Sequence, residues 1–276
     1  MSAAIKISDP DFRRAVALID EGDAEALRDW IEAHPTLMTA SADEDGSSCG
    51  SYFANPRLLW FVAENPTRNG VLTSKIVPVA QTLIDLAQQF AADDLDEQLN
   101  YTLALVSSSL VAQKCNQQRP MIQTLVAAGA DPNSGIKSAL AHRETDACEA
   151  MLHGGAKLTL ALAAGLGLTA DVTRLSKESN KSDLQEALAI AAINTQPGCI
   201  EILLDRGAAV NQFNPDGVHA HSTPLHQAVY AGCAETVDVL LSHGADVSIK
   251  DKVFHSDCIE WARHQGHHEL ATRLSS

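Results

Sequence analysis

At 276 residues, with 20 Lys and Arg set against 35 Asp and Glu, the chain carries a formal net charge of −15. That balance argues against sequence-independent nucleic-acid binding, which needs clustered cations to neutralise phosphates, and favours a basic counterpart. Aromatic residues make up only 4%, a composition suited to short helices packed closely through Ala and Leu.

Asp9-Pro10 opens the first predicted helix, on which Phe12, Ala15, Val16 and Ile19 recur at helical spacing. Glu21-Gly-Asp23 reads as a turn whose Asp caps a second helix carrying Leu27, Trp30 and Ile31, and the pair ends at His34-Pro35. Residues 1–37 therefore read as an N-terminal capping pair. The acidic, small-residue stretch 40–51 reads as a mobile loop. From Asn55-Pro56 a second unit places Leu59, Val62 and Ala63 on one stripe and Val77, Ala80, Leu83 and Ile84 on the next, across a long turn at Asn65–Gly70. An acidic insert, Ala91–Glu97, precedes a third unit. Its first helix is expected around Tyr101, Leu103 and Leu105, and its second, with Met121, Ile122, Leu125 and Val126, ends in Gly129-Ala-Asp-Pro-Asn133. Two short units begin at Ser138-Ala-Leu140 and Leu158-Thr-Leu160, and a sixth, Glu186–Ala192 with Ile200, Leu203 and Leu204, closes on Gly207-Ala-Ala-Val-Asn211.

The next stretch, His221 to Asp251, is the most regular. Thr223 is a good N-cap and Pro224 falls at the first helical position, where a missing N–H costs nothing. Leu225, Ala228 and Val229 form one stripe before Gly232, and Val237, Leu240 and Leu241 form a second before Gly244. This helix–turn–helix closely resembles an ankyrin repeat, as do the Gly-Ala-Asp-type endings upstream and the final unit, Asp257–Ala271. Such pairs cannot bury their stripes alone and need stacked neighbours. The resemblance implies an all-α, ankyrin-type α-solenoid of about seven helix pairs over residues 1–276, with short extended fingers and irregular N-terminal and middle repeats. Within it, residues 55–183 match loosely, 184–251 well, and 252–276 form a C-terminal cap. It also implies a concave face for a protein partner and a buried hydrogen-bonding role for His226 beside Thr223.

The finger at Asn211–His221 is longer than the others. Asn214-Pro-Asp-Gly217 is a turn signal, and His219 and His221 would point the same way in an extended strand. Three readings stand: loop-ordering hydrogen bonds, partner or ligand recognition, or a zinc site with His255 as a third ligand. Gly266-His267, within the His264–His268 run, matches an ordinary inter-helix turn. The expected contact surface is Phe213, Asn214, Asp216, His219, His221, Gln227, Tyr230, Lys250, Phe254, His255 and Trp261, with its four aromatics as anchors. The alternative is a small-molecule or metal sensor built on the finger at 211–221.

No Gly-x-Ser-x-Gly, His-Glu-x-x-His, phosphate loop or dinucleotide fingerprint occurs. Neither an enzyme nor a cofactor is expected. The six cysteines, Cys49, Cys115, Cys148, Cys199, Cys233 and Cys258, include no Cys-x-x-Cys pair and read as reduced thiols of a cytoplasmic protein, with Cys233 and Cys258 as inert core thiols. The N-terminus lacks a basic region followed by an apolar run, and no stretch reaches membrane-spanning length, so neither export nor insertion is expected.

Overall fold

A computed structural model describes residues 7–42 and 55–275, and most of the loop expected at 40–51 lies outside them, as does Cys49. Every regular element among the described residues is helical, and none of these helices is long and apolar enough to cross a membrane. The chain divides into two compact units: residues 1–139 with 146–156, and residues 140–145 with 157–276.

In the first unit the Asp9 carboxylate accepts the backbone N–H groups of Asp11 at 2.8 Å and Phe12 at 3.2 Å, starting α1 (Pro10–Glu21). Gly22, at φ 74°, ends it, and Asp23 caps α2 (Ala24–Ala33) through Ala26 N at 3.0 Å. Leu58–Ala63 is a 3₁₀ segment with all six residues buried, so the single stripe expected of Leu59, Val62 and Ala63 widens to a fully enclosed turn. The long turn after it is organised by Glu64, which is 2% exposed. Its Oε2 accepts the backbone N–H groups of Arg68, Asn69 and Gly70 at 2.9, 3.0 and 3.2 Å.

One helix not expected from the sequence lies between α3 (Ile76–Phe90) and residue 118. The acidic insert at 91–97 holds a 3₁₀ turn, Ala92–Asp94, that leads directly into α4 (Leu95–Ser107), which carries Leu103 and Leu105. The expected helix around Tyr101, Leu103 and Leu105 is α4, which packs on α6 (Gln118–Ala127), and an additional five-residue α5 (Leu110–Lys114) stands between them in sequence. Two serines make the break between α4 and α5. The hydroxyl of Ser108 donates to Ala104 O at 2.8 Å, while Ser109 Oγ accepts Ala112 N at 3.1 Å and so caps α5.

Helices α7 (Ile136–Ala141) and α8 (Thr145–His153) flank a turn that counts with the second unit. That unit continues through α9 (Leu160–Gly165), α10 (Thr169–Leu175), α11 (Lys181–Ile193), α12 (Pro197–Asp205), α13 (Pro224–Ala231), α14 (Ala234–Ser242), α15 (Cys258–His264) and α16 (His268–Leu274). Each tight turn between paired helices holds one residue in the left-handed region. It is Gly22, Gly167, Gly232 or Gly266 in four turns, but Asn116, Arg143 and Thr195, at φ 56°, 64° and 54°, in three.

The core of the second unit is aliphatic, as the low aromatic content requires: Leu188, Leu203, Val229 and Leu240 are fully buried. Each such side chain contributes about 1.5–3 kcal/mol by leaving water. Close packing shows at Gly165, where an added β-carbon would sit 2.4 Å from Leu140 Cδ2 and 2.9 Å from Ile190 Cγ2. Polar side chains join successive repeats. Asn194 Nδ2 donates to Leu140 O at 2.9 Å; Gln185 exchanges two hydrogen bonds with the backbone of Ala209; and Asn211 Oδ1 accepts Asp246 N at 2.8 Å.

Candidate functional site

The long finger is a compact loop rather than a strand. Val218 N donates to Pro215 O at 3.1 Å, the Val218 side chain is fully buried, and His219 takes φ 55°. Ser222 then closes the loop. Its N–H donates to His219 O at 3.0 Å, its carbonyl accepts Asn214 N at 2.9 Å, and its hydroxyl accepts Gln227 Nε2 at 2.8 Å. Asn214 and Gln227 are each 4% exposed. They serve the loop from within, a role that their place in the expected contact surface did not anticipate.

Because the loop turns at His219, its two imidazoles do not lie parallel on one strand face. Their rings meet nearly perpendicular, with centroids 6.1 Å apart. His219 Nε2 lies 3.0 Å from Ala141 O, so that nitrogen carries the proton and donates. Burial pushes the His219 pKa down; the Ala141 carbonyl opposes this, and His142, His221 and Arg143 add to it.

A second loop, 251–256, is built around Asp251, which is 1% exposed. Oδ1 accepts Val253 N at 2.8 Å and Phe254 N at 2.7 Å, and Oδ2 accepts Ser256 N at 3.1 Å and Trp261 Nε1 at 3.0 Å. Burial alone would push this carboxyl up, but the four donors favour the charged form enough to hold it at about 2. The same carboxylate thus fixes the indole of Trp261 and presents Phe254 to solvent, 68% exposed. His226 completes the support. Its Nδ1 lies 2.8 Å from Thr223 Oγ1 and 3.3 Å from Thr223 N, its Nε2 3.3 Å from Ser256 O, and its ring 5.1 Å from that of Trp261. Burial lowers its pKa. The structural role expected of His226 beside Thr223 is the one it plays.

Between these loops and the α7–α8 turn lies a cleft of about 440 Å³ lined by Ala141, His142, Arg143, Ile193, His219, His221, Gln227, Tyr230, Phe254 and Trp261. Six of the eleven expected contact residues meet here. The rings are continuous: His142 to His219 is 6.5 Å, His221 to Trp261 6.0 Å, His221 to Phe254 6.3 Å and Tyr230 to Trp261 6.1 Å. A second hollow of about 420 Å³ shares Tyr230, Phe254 and Trp261 and extends the apolar rim towards Glu260 and His264.

The remaining expected residues stand elsewhere. Phe213 lies under Lys252, whose Nζ is 4.2 Å from the ring centroid. Asp216, Lys250 and His255 are exposed and do not line the cleft. No group of three or more His, Cys, Asp or Glu among the described residues is placed to hold a metal ion. The sequence reading missed His142 and Arg143. Arg143 occupies the turn position that glycine fills in other pairs, and an arginine in a glycine slot was the available signal. Burial pushes the Cys199 thiol up to about 11 and Cys258 higher still, which disfavours their thiolates.

A family profile described as ankyrin repeats (3 copies) matches residues 109–251. ARF GTPase-activating protein GIT1 of Homo sapiens is 43% identical over 72 residues, covering 26% of this chain and 9% of that protein. ARF GTPase-activating protein GIT2 of Mus musculus is 42% identical over 72 residues, 26% of this chain and 10% of the relative. The probable E3 ubiquitin-protein ligase XBOS34 of Oryza sativa subsp. japonica is 37% identical over 68 residues, 25% of this chain and 13% of the relative. This chain thus matches a small part of each relative. The profile spans more than half of the 276 residues; the chain belongs to the ankyrin-repeat family.

Proposed function

We propose that the chain is a cytoplasmic protein-binding module without chemistry of its own, and that its contact surface is the cleft between the finger at 211–222, the loop at 251–256 and the α7–α8 turn. The observation that carries this reading is the pair of surface aromatics at one cleft: Tyr230 is 46% and Phe254 68% exposed, each beside the half-buried Trp261. Large aromatic side chains held at the edge of a preformed concavity are the usual anchors of protein interfaces. Repeat proteins present such surfaces because stacked helix pairs align their turns. Asp251 adds preorganisation, since a loop ordered before binding costs less to engage. The net charge of −15 supports a partner with a basic surface at long range and does not suit nucleic acid.

The test is affinity capture with the full chain as bait, comparing wild type with the Tyr230→Ala, Phe254→Ala double variant. Losing two anchors costs about 2 kcal/mol or more, roughly a thirtyfold weakening. A specific partner held by the wild type is then lost from the variant. Equal retention of that partner by both proteins removes the cleft from the interaction.

A further inference from the structure

Four observations converge on Arg143. It sits in the α7–α8 turn at φ 64°, where four of the six corresponding turns have glycine (Gly22, Gly167, Gly232, Gly266) and the other two have Asn116 and Thr195. A β-carbon is strained there, and such strain persists at positions kept for another reason. Its Nη2 is buried without a hydrogen-bond partner among the described residues, although an unpaired buried donor is costly. Its guanidinium lies against the Tyr230 ring, 5.2 Å from the centroid. Finally, it is the one permanent cation lining a cleft that includes no Asp or Glu, on a chain of net charge −15.

We propose that Arg143 recognises a single carboxylate of an acidic peptide segment in the partner, with an adjoining apolar side chain of that peptide packed on Phe254 and Trp261. This rests on the binding-module reading above. A guanidinium matches the planar carboxylate through two parallel N–H···O bonds, which a lysine would not reproduce. One arginine suits one negative charge, whereas phosphate-reading sites gather several. Tyr230, the ring beside the guanidinium, is 46% exposed, so an incoming peptide displaces a surface ring and leaves the core intact. The overall acidity of the chain does not forbid this contact, because charges beyond about 8 Å are largely screened at physiological salt while a direct ion pair is not.

The experiment measures binding of fluorescent hexapeptide pools to the full chain. Each pool fixes a central glutamate, glutamine or phosphoserine beside a leucine, and each is made with an amidated and with a free C-terminus. For the wild type, the amidated glutamate pool is expected to bind at least tenfold more tightly than the amidated glutamine pool. That preference disappears in Arg143→Gly and Arg143→Gln. Arg143→Gly nevertheless melts no lower than the wild type, because glycine relieves the turn, and Asn116→Gly, which relieves an equivalent turn in the other unit, keeps the preference. Tight binding of the glutamine pool only when its C-terminus is free supports the same pairing with a terminal carboxylate in place of a side chain. Tighter binding of phosphoserine than glutamate, equal binding of the amidated glutamate and glutamine pools, or a preference that survives Arg143→Gly overturns the proposal. Equal binding of every pool that is lost in the Tyr230→Ala, Phe254→Ala variant overturns the carboxylate assignment while sparing the binding-module reading.

Discussion

Replacing Asp251 by asparagine tests whether one buried carboxylate holds the rim of the cleft. The substitution keeps the size and Oδ1 but turns an NH₂ group towards Ser256 N and Trp261 Nε1, two donors now 3.1 and 3.0 Å from Oδ2. Two charge-assisted hydrogen bonds vanish and two buried donors are left facing a third, at a cost of about 2–4 kcal/mol. The carboxyl's own titration gives an independent figure. A folded-state pKa of about 2 against the ordinary 3.8 corresponds to about 2 kcal/mol. Because the folded-state value is depressed, this contribution is complete above the ordinary value and disappears as pH falls towards the folded one. Thermal melts followed by circular dichroism should therefore show Asp251→Asn melting roughly 4–16 °C lower at pH 7, at roughly 2–4 °C per kcal/mol for a chain of this size. The difference from wild type should narrow as pH falls from about 4 to about 2. A variant that melts within about 2 °C of wild type at pH 7, or a difference that stays constant through the acid range, refutes the argument.

Three further outcomes follow from the geometry. Glu64→Gln removes the charge that gathers three backbone N–H groups and faces Arg68 at 3.1 Å; a loss of about 2–4 kcal/mol is expected in urea denaturation, and one below about 0.5 kcal/mol would show that the turn closes without it. Gly165→Ala forces a methyl group against Leu140 and Ile190 and should destabilise by about 1–3 kcal/mol; an unchanged denaturation midpoint would mean that α9 moves away at no cost. His219 and His226 both have folded pKa values below the ordinary 6.5 because of burial, so protonation favours the unfolded chain. Stability is thus complete above about pH 6.5 and declines below it. His219→Gln should reduce that decline, measured as the change in melting temperature between pH 7.5 and pH 5.5, and an undiminished decline would place its origin elsewhere.

Where a local rule decided the structure, the sequence was readable. Thr223-Pro224 starts α13, Gly232 ends it, and Asp9, Asp23 and Asp257 cap the helices that follow them. Tyr230, Phe254 and Trp261, expected on one surface, line one cleft, because a regular repeat fixes which side of each helix and loop they occupy. The failures come from interactions that spacing does not encode. The run Ser107–Ser109 ends α4 and caps α5 through side-chain oxygens, so a short helix stands where the apolar spacing marks none. His219 was placed on a strand by alternation, whereas the Pro215–Val218 turn and its own left-handed backbone swing it towards Ala141, 78 residues away. Arg143 reaches the same cleft from across that gap, and no local pattern connects it with Tyr230.

The left-handed residue between paired helices also bears on how a chain of this kind gains new specificity. Exchanging glycine for another residue there costs about 1 kcal/mol of backbone strain while leaving both helices untouched, if the new side chain has room. Room is unequally distributed. A β-carbon at Gly22 would meet Thr73 at 2.6 Å, at Gly167 it would meet Gln196 at 2.4 Å, and at Gly232 the His267 ring at 2.6 Å, whereas at Gly266 nothing lies within 4 Å. Gly266 is therefore a vacant mutational slot. A single codon change there installs a new side chain beside the helix that carries Trp261, so a repeat array can diversify what it recognises one turn at a time while its fold drifts hardly at all.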